Sequence, residues 1–350
     1  MAVRLKDIAD HLGLSVSTVS AALQGRADIS KATQKLVSST VEEMGYQPNS
    51  VARSLITRKT NVLGVIIPDL SRSFFAEVLK GIDTVSSPAG YNLLLCNTEE
   101  NPAKEDEMLR MLLSRQVDGI ILASAHNASD STSIQTLRSL STPLVLVDRF
   151  LPSLNFVGGD DEMIGFQATS HLIRQGYKRV AHISGQLTIS TAAGRRQGYL
   201  KALRRFQIPR YPNYIIESHY HEESGGEEAM TRLLRLGSPP DAIFAASDPI
   251  AIGALQAILD AGLLPGNDLG LIGVGNHRYG PYLRVPLSTM DQQRTLIGQE
   301  AAKLLLKLIG RTARSRMKNI AIEPKLIIRE SSGRHGKVPS LDRSQILKDL

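Results

Sequence analysis

Apolar positions in the first 46 residues recur at helical spacing in three short pieces. Leu5, Ile8, Ala9 and Leu12 fall at i, i+3, i+4 and i+7 and mark one buried stripe. Gly13 ends that helix, because glycine accepts the left-handed conformation of a C-terminal cap. Ser15 is placed to cap a second helix that turns Val19, Ala22 and Leu23 inward. Ser30 is placed to cap a third, whose apolar side is lined by Leu36, Val37, Val41 and Met44, and Gly25 and Gly45 close the two. Such short helices carry too little apolar area for a large core, so a small all-α headpiece is predicted over residues 1–46.

Past Pro48 the chain is polar and basic as far as Thr60, and then the pattern changes. Short runs of branched apolar residues at 62–67, 93–95, 119–123, 144–147, 180–184, 242–246 and 269–274 are those of strands buried on both faces. Helical spacing fills the stretches 74–87, 105–116, 162–175, 194–206, 224–236 and 249–261. Strand–helix alternation of this length predicts parallel sheets covered by helices. One sheet of ordinary width cannot hold so many strands, so two stacked α/β lobes are predicted. In such folds ligands collect at the carboxyl ends of the strands, here in the cleft between lobes.

Composition narrows the function. With 350 residues, 42% hydrophobic and 21% charged, the chain has the balance of a globular protein of two or three domains. No run approaches the ~18–20 apolar residues of a membrane helix. The opening residues lack the apolar stretch of a secretory signal, so a cytoplasmic location is expected. The single cysteine, Cys96, makes neither an internal disulfide nor a zinc cluster, and no cofactor or metal is expected. The net charge of +7 is unevenly spread. Residues 1–60 hold eight Lys or Arg against five Asp or Glu, residues 311–350 ten against four, and the body 23 against 25. Between Gly45 and Pro68 there is no acidic residue, while Arg53, Arg58 and Lys59 are present. A near-neutral body with basic ends points to a polyanionic partner.

Residues 5–20, LKDIADHLGLSVSTVS, meet the physical criteria of a helix-turn-helix: a short helix, a tight glycine turn, and a second helix whose outward face is small and polar. A recognition helix must enter a major groove about 12 Å wide, which small outward side chains permit. Basic residues outside that helix hold the register on phosphates.

With these residues in view, the chain as a whole resembles the lactose-repressor, or LacI/GalR-type, family of bacterial transcription regulators. The helix-turn-helix carries the likeness, and so does Tyr46-Gln47-Pro48-Asn49-Ser50-Val51-Ala52-Arg53-Ser54-Leu55, which is similar to the family's hinge. Further matches are Phe75-Ala76-Glu77, Val117-Asp118-Gly119-Ile120-Ile121, Gly194-Arg195, Gly198-Tyr199, Asp248 with Ala251 and Gly253-Ala254, and Leu287-Ser288-Thr289. The likeness runs from Leu5 to Arg329. It implies a headpiece at 1–46, a hinge at 47–60, a two-lobed periplasmic-binding-protein-like core at 61–330 and a basic tail at 331–350. Within the core, the N-lobe takes 61–159 and 290–322 and the C-lobe 160–289 and 323–330.

The resemblance also implies a function: a repressor of carbohydrate-catabolism genes, not an enzyme, that binds double-stranded operator DNA as a homodimer and answers to a small effector in the cleft. Its base-reading positions are Val16, Ser17 and Ala21, flanked by Ser15 and Thr18. Ser17 can hydrogen-bond a base edge, whereas Val16 and Ala21 either touch a thymine methyl or merely fill the helix. Family members often carry a larger polar residue where Ala21 stands, which shifts weight to the hinge residues Asn49, Ala52, Arg53 and Leu55. Leu55 is similar to the leucine with which paired hinge helices wedge open the minor groove. A short isolated helix is unstable in water, so the hinge is expected to order on DNA.

For the effector, the matching positions are Phe75, Asp148, Asp160, Thr191, Arg195, Tyr220, Ser247 and Asp248. Phe75 and Tyr220 can stack on a ring, and Arg195 can pair with a carboxylate or vicinal hydroxyls. Arg195 in a structural salt bridge and Asp248 as a helix cap are the alternatives. One departure stands out: where many members place an aspartate after the strand Leu271-Ile272-Gly273-Val274, this chain has Gly275, then Asn276 and His277. Removing a buried carboxylate while keeping Arg195 makes the cleft tolerant of negative charge, so a sugar acid is expected over a neutral sugar. Arg149 either assists or belongs to the surface.

Other readings are weaker. There is no Gly-x-Ser-x-Gly elbow and no phosphate loop, and Gly273-Val274-Gly275 begins a dinucleotide fingerprint whose next glycine, Gly280, comes too late. His219-Tyr220-His221-Glu222-Glu223 lacks the second spaced ligand group of a metal site. A sugar-binding protein without DNA function, secreted or cytosolic, has the same core but no headpiece. An activator, or a corepressor-dependent regulator with a purine-like effector, is the remaining alternative. Leu341, Ile346, Leu347 and Leu350 do not sustain a heptad repeat, so a dimer is expected and not a tetramer.

Overall fold

The structure, a computed structural model, describes residues 3–23, 25–46, 59–127, 130–218, 222–310 and 316–333. Two units separate between Thr60 and Asn61. The first holds α1 (Leu5–Leu12), α2 (Val16–Leu23) and α3 (Lys31–Glu43). Ile8, Ala9, Val19, Ala22 and Val37 form its buried centre, with Leu5, Leu12, Leu23, Val41 and Met44 packed around them. Gly13, at φ +64°, closes α1 in the left-handed region. The hydroxyls of Ser15 and Ser30 accept the N–H groups of Thr18 and Thr33, each at 3.1 Å, and so start α2 and α3. The expected stripe of α3 needs one correction. Leu36 is 51% exposed. The inward face runs through Val37, Thr40, Val41 and Met44 at i, i+3, i+4 and i+7, and Leu36 stands about 100° to its side. Thr40 takes the buried place, its hydroxyl donating to the Leu36 carbonyl at 3.0 Å.

The second unit contains two six-stranded sheets. β1 (Val62–Ile67), β2 (Asn92–Asn97), β3 (Gly119–Leu122), β4 (Leu144–Val147), β5 (Phe156–Gly159) and β11 (Asn319–Ile322) form the first, in the order β11-β5-β4-β3-β1-β2, with every pair parallel. The second holds β6 (Val180–Ser184), β7 (Ile215–Glu217), β8 (Ala242–Ala245), β9 (Gly270–Val274), β10 (Ser288–Asp291) and β12 (Lys325–Ile327), in the order β12-β10-β9-β8-β6-β7. Only β12 runs antiparallel to its neighbour. Helices α4 (Ser73–Ser86), α5 (Pro102–Ser114), α6 (Ser131–Ser139) and α11 (Arg294–Ile309) pack on the first sheet. Helices α7 (Asp161–Arg174), α8 (Ser190–Arg205), α9 (Glu223–Leu234) and α10 (Asp248–Asp260) pack on the second.

Alternation explains the apolar runs. Along β1, Leu63, Val65 and Ile67 face α4 and α11, while Ile66 faces the cluster under α5 and α6, so both sides are buried. At the sheet edge the expectation fails: in β2 only Cys96 is buried, because an edge strand has a neighbour on one side alone.

Three helix pairs meet through glycines. A Cβ on Gly81 or Gly298 would collide with the carbonyl oxygens of Thr295 or Val78 across the α4–α11 crossing. Gly165 and Gly198 stand in the same relation to Arg195 and Glu162 across α7–α8, and Gly226 and Gly253 to Ile250 and Glu223 across α9–α10. Only a residue without a side chain permits so close an approach. The chain passes between the lobes three times: after β5, between β10 and α11, and between β11 and β12.

Candidate functional site

On the headpiece, α2 exposes the face expected of a reading helix. Val16 is 43% exposed although it is a large apolar residue, Ser17 is exposed, and Ala21 is half-buried beside them. Ser15 and Thr18 stand apart in role. The Ser15 hydroxyl lies 2.8 Å from that of Thr18 and 2.7 Å from that of Ser17 while it caps the helix, so this pair secures the start of α2. Asn49, Ala52, Arg53 and Leu55 lie outside the described residues.

A cavity of about 390 Å³ opens between the two lobes of the core. Its wall comes from the carboxyl ends of strands and the first turns of helices, as parallel topology dictates. Six expected residues meet there: Phe75, Asp148, Thr191, Arg195, Ser247 and Gly275. Helix α8 begins at Ser190, a turn earlier than its apolar spacing indicates, which sets Thr191 and Arg195 one turn apart on one face.

Three other expected residues do not line the cavity. Asp160 caps α7, its carboxylate accepting the Met163 N–H at 2.9 Å. Asp248 is buried, and Ser247 is the residue that caps α10. The Asp248 carboxylate instead accepts the Thr289 hydroxyl at 2.7 Å and the His277 N–H at 2.9 Å, fastening the loop after β9. Asn276 is the centre of that loop: its side chain donates to Asp291 at 3.3 Å and accepts from Arg329 at 2.8 Å. Tyr220 lies outside the described residues, as do His219 and His221. Gly275, at φ +138°, has a backbone that L side chains rarely adopt and that glycine takes without strain.

Four arginines line the cavity, and carboxylates flank each of them. Arg195, 3% exposed, donates through Nε to Asp161 at 2.8 Å and through Nη1 to the Ala246 carbonyl at 2.7 Å. The salt bridge and the place in the cavity wall therefore coexist. Burial pushes the Asp161 carboxyl up to about 7; Asp148 adds to the rise, and Arg195 only partly opposes it. Burial raises Asp148 too, against the pull of Arg149, Arg195 and Arg72. Arg149 is buried and not a surface residue, its Nη1 and Nη2 both 2.6 Å from the Glu100 carboxylate. Glu100 also takes Arg72; burial works to raise its carboxyl, but the two guanidiniums prevail and lower it. Arg294 bonds Glu77 and the Asn276 carbonyl through Nη2. Such alternating donors and acceptors suit a ligand rich in hydroxyls, which both give and accept hydrogen bonds.

Arg72, Glu100, Asp161 and Arg294 are functional candidates that the sequence does not single out. Asp161 and Arg72 sit beside motif residues, which is a weak pointer. Arg294 has none, because its partners are distant in the chain.

Residues 4–49 match the family profile described as bacterial regulatory proteins, lacI family, and residues 60–330 that of periplasmic binding proteins and sugar binding domain of LacI family. The chain is 35% identical over 317 residues to catabolite control protein A of Priestia megaterium, covering 89% of this chain and 94% of that one. It is 33% identical over 332 residues to the HTH-type transcriptional repressor PurR of Haemophilus influenzae (strain PittEE), covering 93% and 98%. The structure matches that of the lac repressor dimer bound to operator and the anti-inducer ONPF with a TM-score of 0.86, at 24% identity over 95% and 100% of the two chains, which shows a shared fold.

Proposed function

Because the chain belongs to the LacI family of bacterial regulatory proteins, DNA-binding repressors with an effector-binding core, we propose that its effector is a sugar acid and that it controls genes of carbohydrate catabolism. The observation that carries this reading is a cleft lined by four arginines, with glycine at the end of β9 in place of a carboxylate. Asp148 accepts hydroxyls, Phe75 supports the apolar face of the carbon chain, and Thr191 and Ser247 complete the polar wall. Burial lessens the repulsion of an anion by the carboxylates near Arg195, since it raises Asp148 and brings Asp161 to about 7, where it is partly protonated at neutral pH.

Operator DNA is bound by a homodimer in the cytoplasm. Paired headpieces present Val16, Ser17 and Ala21 to the major groove, and Asn49, Ala52, Arg53 and Leu55 act at the minor groove between half-sites. Among the described residues no helix is long and apolar enough to cross a membrane. Effector and operator binding are coupled by about 1–3 kcal/mol, reciprocally.

Gel-shift assays on DNA upstream of neighbouring operons, with and without D-gluconate, test the reading alongside calorimetry against D-glucitol, its neutral counterpart. Tighter binding of glucitol, or of a purine base over both, overturns it. Proton linkage gives a further expectation. A charged Asp161 repels the ligand's carboxylate and a protonated one does not, so acid affinity rises as the pH falls through about 7. Asp161→Asn flattens that profile, and glucitol shows no such dependence. A wild-type gluconate affinity constant between about pH 8 and about pH 6 counts against the role of Asp161.

A further inference from the structure

Arg72 stands immediately before α4 and lines the cavity together with Ser71, Ser73 and Phe74. Its side chain is 16% exposed. Nη1 donates to Glu100, and Nε, which is enclosed, lies 3.3 Å from the Asp69 carboxylate. Nη2 makes no hydrogen bond and, unlike Nε, is not enclosed, so the guanidinium keeps one open donor where the residue lines the cavity. The other arginines of the wall are placed differently. Both terminal nitrogens of Arg149 are taken by Glu100, Nε and Nη1 of Arg195 by Asp161 and the Ala246 carbonyl, and Nε and Nη1 of Arg294 are enclosed.

The acids beside Arg72 orient it without cancelling it. Glu100 is shared with Arg149, which holds both of its oxygens at 2.6 Å, and Asp69 gives one oxygen to the N–H and hydroxyl of Ser71. Both carboxylates are about a third exposed, and solvent screens such pairs. Helix α4 starts next to Arg72 with no side-chain cap and no acidic residue in its first turn, so its dipole adds to the positive potential.

We propose that Arg72 sets the preference of the cleft for an acidic effector, its Nη2 donating one charge-assisted hydrogen bond to the ligand's carboxylate while Glu100 and Asp69 fix the direction of the guanidinium. The inference rests on the sugar-acid reading and names the residue that enforces it. A hydroxyl in that place accepts a weaker bond than a carboxylate does, so the loss on mutating Arg72 falls on acids. Glu100 keeps both bonds to Arg149 when Arg72 is replaced, so the substitution does not strand that carboxylate.

The experiment is calorimetric titration of the full chain, wild type and Arg72→Gln, with the pairs D-gluconate and D-glucitol and D-glucuronate and D-glucose. Wild type is expected to favour an acid over its neutral partner. Arg72→Gln is expected to weaken that acid about 10- to 100-fold and to leave the neutral sugar within about threefold. Arg72→Lys is expected to weaken the acid about 3- to 10-fold, because one nitrogen cannot hold Glu100 and the ligand together. It supplies the test if thermal melting shows Arg72→Gln unfolded. Wild type favouring the neutral partner, or binding neither pair, overturns the sugar-acid reading and this inference with it. An acid affinity unchanged in every folded variant, or an equal loss for acid and neutral partner, overturns the assignment to Arg72 and leaves the sugar-acid reading standing.

Discussion

Replacing Gly198 with alanine is expected to destabilise the core by about 2–3 kcal/mol, against the sign that helix propensity alone gives. Gly198 lies inside α8, where alanine would ordinarily stabilise by about 1 kcal/mol. Its Cβ, however, would press on the Glu162 carbonyl oxygen and on the Phe166 N atom, both backbone, so no side chain can swing aside. The helices must separate, and α8 takes Thr191 and Arg195 with it, so effector affinity falls together with stability. Urea unfolding checks the first part and calorimetry the second. Gly237→Ala, where an added Cβ meets nothing within 4 Å, is the matched control. A Gly198→Ala protein as stable as wild type would mean that the α7–α8 crossing can relax.

Arg195→Met is expected to raise the effector Kd about a hundredfold or more while operator affinity without ligand stays unchanged. The side chain is the one wall residue that joins the cavity, the acid at the start of α7 and the carbonyl after β8. Removing one partner of a buried pair ordinarily costs about 3–5 kcal/mol, because a charge is stranded. Here Asp161 titrates at about 7, so it escapes by binding a proton and the stability loss lies at or below the lower end of that range. Its folded carboxyl lies above the unfolded value of 3.8, so stability falls as the pH rises through the window between them, and loss of Arg195 widens that window upward. Arg195→Met should therefore melt closer to wild type at about pH 6 than at about pH 8. Equal ligand affinity in the two proteins would remove Arg195 from the site.

Much of this molecule is legible in its sequence where the cause is local. Gly13 and Ser15 set the turn of the headpiece through their own backbone and hydroxyl, and the spacing of Ile8, Ala9, Val19 and Ala22 then closes its core. The run at β1 announces a strand buried on both faces, and strand–helix order fixes where a cleft must open. Short strands such as β7 and β12 escape notice because three residues carry no measurable period. Charged partnerships escape for a different reason. Glu100 joins Arg72 and Arg149, and Asp248 holds Thr289, across separations that only the completed fold brings within 3 Å. Leu36 shows the converse: an apolar residue beside a good stripe looks internal until Thr40 takes the place.

The three passages between lobes run side by side. Asp160 donates its N–H to the Ile322 carbonyl at 3.1 Å, and the Gln293 side chain reaches the Glu323 carbonyl at 2.8 Å. Cross-linked in this way, they form a ribbon and not separate tethers, and a ribbon is expected to resist twist and shear more than bending about one line. The opening angle of the jaws is then the expected soft coordinate of the core. On that expectation, free energy that a ligand contributes in the crevice acts on that one angle.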